Sequence, residues 1–507
     1  TASFTGGITA ADFTIANTVN NVSLTGTGGT VTNAITFNNS GTLTLGSAGN
    51  TQTYSAGITA TAPSSITTAG TLVMGGSTTL GDRDTLVTLG SATTLSAASG
   101  GTITLGSNIQ SNNIGLTVSG AGNTVIASLV DIGSGALTKS GSGTLTLSGA
   151  NTYTGGTTIS AGTITLGASN VLANTGALTI NGGTLALGSY SDTVAAVTIG
   201  TSGGSITSTT GVLTGSSYTF NNTSAATVSA ILAGTSGLTQ SGSGTTTLSG
   251  ANTYTGNNAL SAGTVVLSGN GTLGSSANNL TMSGTAALDL QRALTVGNLV
   301  MASANTITNS AGIASLTVSG SSSLGGSITT SGNQTYTGAT ILAANTSLAT
   351  TANGTITFSS TVNSDSATAY GLTTSTGTGS TVFASTVGAN YPLASLSTSG
   401  DTSIGGSVTT VGVQSYGGDF TVNAISSLVS SNANINFGGN IVLNGSLTLN
   451  AGSADVNIVG DVALGGGSGA ATQSSYEAAV LASNPLVFIP LTDAIGSSSA
   501  ANLGTLG

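Results

Sequence analysis

The chain has no cysteine, no histidine and no tryptophan among its 507 residues, and only 3 Lys+Arg against 13 Asp+Glu. Without Cys there is no disulfide framework. Without His or Cys, the usual nucleophile–base pairs and most zinc sites are excluded. Charged residues make up 3% of the chain, against about 25% in an ordinary globular protein. The formal net charge of −10 is thinly spread. Nucleic acid and anionic membranes both require Lys/Arg patches, so neither is expected as a partner. The longest apolar cluster, PLVFIPL at 485–491, falls far short of the ~20 residues of a membrane helix. No basic-then-apolar leader precedes Thr1, so the reading is that a leader has been removed or that the sequence is a fragment.

What is abundant is glycine, 79 residues, roughly twice average usage, together with Thr, Ser and Asn. Disorder would fit that composition, but 38% of the residues are hydrophobic and they alternate with Thr and Ser, as in strands. Internal repeats are evident. Residues 137–166, LTKSGSGTLTLSGANTYTGGTTISAGTITL, align without gaps to 238–267, LTQSGSGTTTLSGANTYTGNNALSAGTVVL, with 22 of 30 positions identical at an offset of 101 (Tyr254 against Tyr153). Residues 314–339 align to 394–419 at an offset of 80 (Tyr416 against Tyr336). Beneath both lies Gly-Thr-x-x-(Leu/Met/Phe), with its Gly at 41, 70, 101, 143, 162, 183, 244, 263, 284 and 354. The steps 143→162→183 and 244→263→284 are each 19 and 21.

A unit near 20 residues is too short for a helix pair and suits one turn of a β-solenoid. In such a strand Leu145 and Leu147 share one face, and Thr144 and Thr146 the other. Ile164 with Leu166, Leu185 with Leu187, and the later Leu248 and Leu267 repeat the inward positions, so in-register stacking sets Leu147, Leu166 and Leu187 in one column. A helix is excluded by the Gly, Thr and Ser content and the lack of a 3.6-residue stripe. An antiparallel sandwich does not explain the recurrence of one inward strand. The fold expected is therefore all-β: a right-handed parallel β-solenoid over 1–470, in turns of about 20 residues. Roughly 23 turns at ~4.8 Å give a length on the order of 110 Å. The irregular stretches 106–135, 189–230 and 359–393 are expected to bulge out or form longer turns.

The segments 137–187 and 238–290 resemble the autotransporter-associated β-strand repeat of bacterial surface proteins, through SGSGTLTLSGANTYTGGTTISAGTITLG and the trailing ALTINGGTLAL. The blocks 314–358 and 394–437 are similar to the looser β-strand repeats of filamentous-haemagglutinin-like exoproteins. The resemblance implies secretion, a parallel β-helix and a role at the bacterial cell surface, and it implies no catalytic residues. Residues 471–507 read as a linker and tail. Within them YEAAVLASNPLVFIPLTDAIGSSSAANLGTLG (476–507) resembles the opening of a laminin-G-like jelly roll, through Tyr476, Val480, Leu481, Asn484, Pro485, Leu491, Asp493, Gly496 and Asn502. The alternative for this tail is a solenoid cap. A laminin-G-like opening implies a polypeptide that continues past Gly507 into a glycan-binding domain.

The remaining candidates are few. Arg83, Lys139 and Arg292 are isolated along the chain. Asp82 and Asp84 flank Arg83; a Ca²⁺ or glycan contact is one reading, and a polar turn with a local ion pair is the preferred one. Asp455 and Asp461 are placed on one face two strands apart, without a calcium-binding pattern. Tyr153, Tyr254, Tyr336 and Tyr416 recur at equivalent motif positions. They are read as corner packing with the hydroxyl on a polar partner in preference to sugar-stacking platforms. Asn151 and Asn252 are read as satisfying turn backbone, with stacking along the solenoid. Outward Thr arrays raise ice binding, but that needs a regular grid and the Thr-x-Thr spacing is interrupted. No catalytic residue, metal or cofactor is expected. The function expected is a structural extracellular protein that assembles head to tail with itself into filaments or a sheath, with surface glycans as a second partner. The alternative is a monomeric adhesin stalk presenting a distal carbohydrate-binding domain.

Overall fold

A parallel pair leaves every strand needing a neighbour on each side at one spacing, and a chain that coils on itself supplies both. The computed structural model describes residues 1–464. Every named element among them is a strand, from Ala2–Phe4 to Val462–Leu464. The chain forms a parallel β-solenoid of about 22 turns of about 21 residues, with no helix among the described residues. It divides into two compact units, residues 1–257 with 262–275, and residues 258–261 with 276 onward. The tail at 476–507, with its laminin-G-like reading and its cap alternative, lies outside the described residues.

Each turn of the first unit has three strand positions. One turn runs Val130–Asp131, Leu137–Lys139, Thr144–Leu147, on what are here the first, second and third faces. On the third face Thr124, Leu145, Ile164 and Leu185 form one inward column, and Ile126, Leu147 and Leu166 the next. Leu145, Leu147, Ile164, Leu166, Leu185, Leu187, Leu248 and Leu267 are all buried. Leu248 and Leu267 are register partners on the same face. From Leu145 to Leu185 and from Ile126 to Leu166 the inward columns are hydrocarbon, and the outward Thr144–Thr163–Thr184 column is the β-branched surface of the same strands.

Glycine is required where stacked corners approach. Gly162 adopts φ +66°, the left-handed region that a Cβ disfavours. Gly143 has ordinary dihedrals, but a Cβ there would overlap the carbonyl oxygen of Gly122 in the turn before. Recurrent Gly at one corner is therefore a steric demand of turn-on-turn spacing as well as of turn geometry.

Two of the three expected bulges are absent. Within 106–135 the strand Leu116–Gly120 pairs with Leu137–Lys139 at a spacing of 21, and Thr124 pairs with Leu145 at the same spacing. Within 189–230, Val197 pairs with Tyr218, again 21 apart. These stretches lack the Gly-Thr-x-x-Leu signature yet keep inward hydrophobes such as Val118, Ile126, Ile206 and Phe220, and inward alternation is all that a turn needs. The third, 359–393, does lengthen a turn: Thr346 pairs with Leu372, 26 residues on, and Ile356 with Thr381, 25 on. The excess sits near 364–371, where Ser364 Oγ accepts the Tyr370 N–H (2.9 Å) and Asp365 Oδ1 the Ala367 N–H (2.7 Å).

The two long repeats differ in how they fit the turns. Leu137 reaches Leu238 through Thr157, Leu178, Val197 and Tyr218, five whole turns on the second face. The 80-residue repeat is not a whole number of turns. Tyr336 lies in the column Val318–Tyr336–Phe358–Phe383. Its counterpart Tyr416 lies in a different column, Thr398–Tyr416–Phe437. Gln334 and Gln414 move with them, so the second copy is displaced by one face.

Replacing Leu147 by Ala is expected to lower stability by about 2–5 kcal/mol, whereas Thr146→Ala on the outward side of the same strand costs under about 1 kcal/mol. Urea unfolding of the two variants checks this; equal losses would contradict the assigned facing.

Candidate functional site

The motif Asn-Thr-Tyr-Thr-Gly at 151–155 stands where the first face of that turn would carry a strand. Asn151 Oδ1 accepts the Val130 N–H (2.8 Å) one turn back, and its Nδ2 donates to the Val171 carbonyl (2.6 Å) one turn on. A single amide therefore ties three successive turns. Asn252 repeats this, accepting from Leu232 N–H (2.9 Å) and donating to the Thr272 carbonyl (2.8 Å). Beyond Asn151 the column continues with Asp192, whose Oδ2 accepts the N–H groups of Val171 (2.9 Å) and Leu172 (3.0 Å). Burial pushes the Asp192 carboxyl up, opposed by those backbone donors.

The four motif tyrosines point into the core and are buried, so no ring face is left for a sugar. The Tyr153 hydroxyl pairs with Thr157 Oγ1 (2.7 Å). Tyr254 packs 5.9 Å from the Tyr218 ring. The Tyr336 and Tyr416 hydroxyls donate to Oε1 of Gln334 (3.0 Å) and Gln414 (2.9 Å). Desolvation raises all four phenols above their ordinary range. Tyr336, Phe358 and Phe383 stack at 5.0 and 5.3 Å, as a parallel ladder of rings requires.

The interior glutamines were not singled out from sequence. Gln334 Nε2 donates to the Ala349 carbonyl (2.8 Å) and Thr330 Oγ1 (3.2 Å). Gln414 donates to the Val429 carbonyl (2.8 Å) and Thr410 Oγ1 (3.2 Å). Gln52 serves Tyr54 in the same way at 2.9 Å. The available signal was Gln two residues before Tyr, in Gln52-Thr53-Tyr54, Gln334-Thr335-Tyr336 and Gln414-Ser415-Tyr416. Two inward side chains on one strand lie that far apart.

The charged candidates do not converge. The turn at Asp82 is closed by hydrogen bonds and not by an ion pair, which corrects the local-pair reading. Asp82 Oδ1 accepts Thr85 Oγ1 (3.0 Å) and the Asp84 N–H (3.1 Å), and these hold its carboxyl below the usual range. A short side-chain reach to its own turn outcompetes a solvated guanidinium. The Asp455 N–H is capped by Asn434 (3.2 Å) and the Asp461 N–H by Asn440 (2.9 Å), in separate exposed ladders. Asp461 is the last described member of a column in which Asp419 N–H binds Asp401 Oδ1 (3.0 Å) and Asn440 N–H binds Asp419 Oδ1 (2.8 Å). Among the described residues no three Asp, Glu, His or Cys side chains cluster as a metal site.

Lys139 is a buried cation of the described residues. It is 1% exposed, and its Nζ donates to the carbonyls of Ser140 and Gly141 (2.8 Å each). Gln240, its counterpart 101 residues on, donates to the Gly242 carbonyl (2.9 Å). The same corner carbonyl is thus satisfied by an ammonium in one copy and an amide in the other. Burial pushes Lys139 down to about 8.

These features define a parallel β-solenoid repeat protein whose polar side chains serve the stacking of turns. Residues 137–166 and 238–267 match the family model described as Passenger-associated-transport-repeat. With the solenoid fold, these two matched segments make the chain similar to autotransporter passengers in its repeats. The repeat family implies a secreted or cell-surface protein. The match does not extend to 476–507. No curated protein and no solved structure matches the chain. No helix among the described residues is long and apolar enough to cross a membrane.

The Lys139 ammonium is disfavoured by folding, so the unfolded chain binds more protons between pH 8 and the ordinary lysine range. Stability from this group is therefore lowest below pH 8 and recovers as pH rises through that window. Lys139→Gln is expected to unfold at higher denaturant than the parent at pH 7, with the difference shrinking by pH 10.5. A pH series of urea midpoints reads this; a difference that grows with pH would contradict the burial of the charge.

Proposed function

We propose that this chain is a non-enzymatic structural component of the bacterial cell surface whose copies join end to end through their strand ladders. The observation that carries the reading is that successive turns bond by one parallel pattern, which a further turn from another copy can continue. The buried or stacked carboxylates favour a structural role as well. Asp192 and Asp289 accept backbone N–H groups, Asp289 from Ser310 at 2.8 Å, which employs them in holding turns together.

Electron microscopy of the purified native chain over a range of concentrations tests this. Fibres that lengthen with concentration are expected. Particles of one length at every concentration would overturn end-to-end assembly and leave the stalk of a surface adhesin as the reading. Glycan binding by the intact chain would then identify what such a stalk presents.

A further inference from the structure

One outward column of the first unit departs from the mixed pattern of the others. On the second face, register partners run from Thr51 through Thr94, Thr138, Thr158 and Thr198 to Thr239, with threonine at every intervening turn, ten in all. β-Propensity alone does not require this. In the second unit a comparable outward ladder reads Ala259, Thr281, Val300, Ser323, Ile341, Asn363. The rows beside the threonines are small and uncharged. Two residues before stand Gly115, Ala136, Gly156 and Ala177; two residues after stand Ser119, Ser140, Ser160 and Asn181. The nearby Lys139 is buried in the core.

We propose that this threonine face is a lateral self-association surface that takes the same face of a second copy. Identical side chains in register present the same methyl and hydroxyl at each step, so two such faces related by a twofold axis are self-complementary and can interdigitate. The hydroxyls pair across the contact while the methyl groups leave water. No Asp, Glu, Lys or Arg stands in this column or in the rows two residues to either side of it, so close approach meets no direct like-charge contact. Nine steps of ~4.8 Å and three rows about 13 Å wide cover about 560 Å² on each copy, or about 1,100 Å² in all, just above the ~1,000 Å² that a specific contact needs. Pairing is therefore weak and depends on concentration. It is distinct from the end-to-end contact, which uses strand edges.

The test is sedimentation of the full chain over a concentration series, with electron microscopy of any fibres. Thr158→Lys combined with Thr179→Lys is expected to weaken lateral pairing at least ~tenfold by placing charge in the contact. Circular dichroism should stay unchanged, and end-to-end fibres, where present, should become single instead of paired side by side. The chain has no native cysteine, so an equimolar mixture of Thr138→Cys and Thr158→Cys chains is expected to cross-link on oxidation, whereas Thr165→Cys, outward on the third face, is not. Wild-type chains that never pair laterally, lysine variants that pair as the wild type does, or equal cross-linking from Thr165→Cys would each overturn the proposal. Retention of unpaired chains on ice or on a crystalline polysaccharide would assign the face to that lattice instead.

Discussion

The parallel hydrogen-bond ladder between successive turns is the constraint on which the rest of this structure depends. It fixes one spacing between turns and repeats it at three strand positions, so each side chain sits above and below its counterparts. Every other feature answers to that spacing. Inward leucines form columns because they share a register, as Leu145, Ile164 and Leu185 do. Phenylalanines stack nearly parallel, as Phe358 and Phe383 do at 3°. Corners that approach at this distance leave no room for a Cβ, as at Gly143.

Polar groups follow the same rule. A buried backbone donor without a partner is costly, and where a strand is interrupted the neighbouring turn loses its partner. Asn151 and Asn252 stand at such interruptions, Asp192 stands one turn beyond one, and each restores lost bonds. In the core, amides and hydroxyls meet one another across corners, as Thr374 meets Thr381 (2.8 Å) and Thr398 meets Thr402 (2.7 Å). These polar side chains are thus part of the stacking.

Much of this was legible in the sequence, and the reason is the periodicity. Gly-Thr-x-x-Leu reports one strand per turn, and alternation reports which side is inward, so Leu145 through Leu187 could be placed without coordinates. The motif tyrosines were legible as core because their spacing from Gly and Asn marks a corner. Regularity within 106–135 and 189–230 was not legible, since Ile, Val and Phe there replace the signature while keeping its facing. The interior glutamines were hidden because Gln is ordinarily a surface residue; only its spacing from Tyr betrays it. The unbroken threonine column was hidden for another reason. It is assembled from strands 19 to 23 residues apart, and the drift in spacing erases it from a linear reading.

The displacement of the 80-residue repeat by one face has a consequence for valency. Tyr336 and Tyr416 occupy matching positions in their blocks yet stand in different columns. The outward residues that accompany them, Thr335 and Ser415, therefore emerge in different directions around the coil. A duplication in whole turns, like that of 101 residues, would line up two like surfaces for a partner approaching from one side. This one sets them on different flanks, so copies that are alike in sequence are separate addresses to anything that binds from outside.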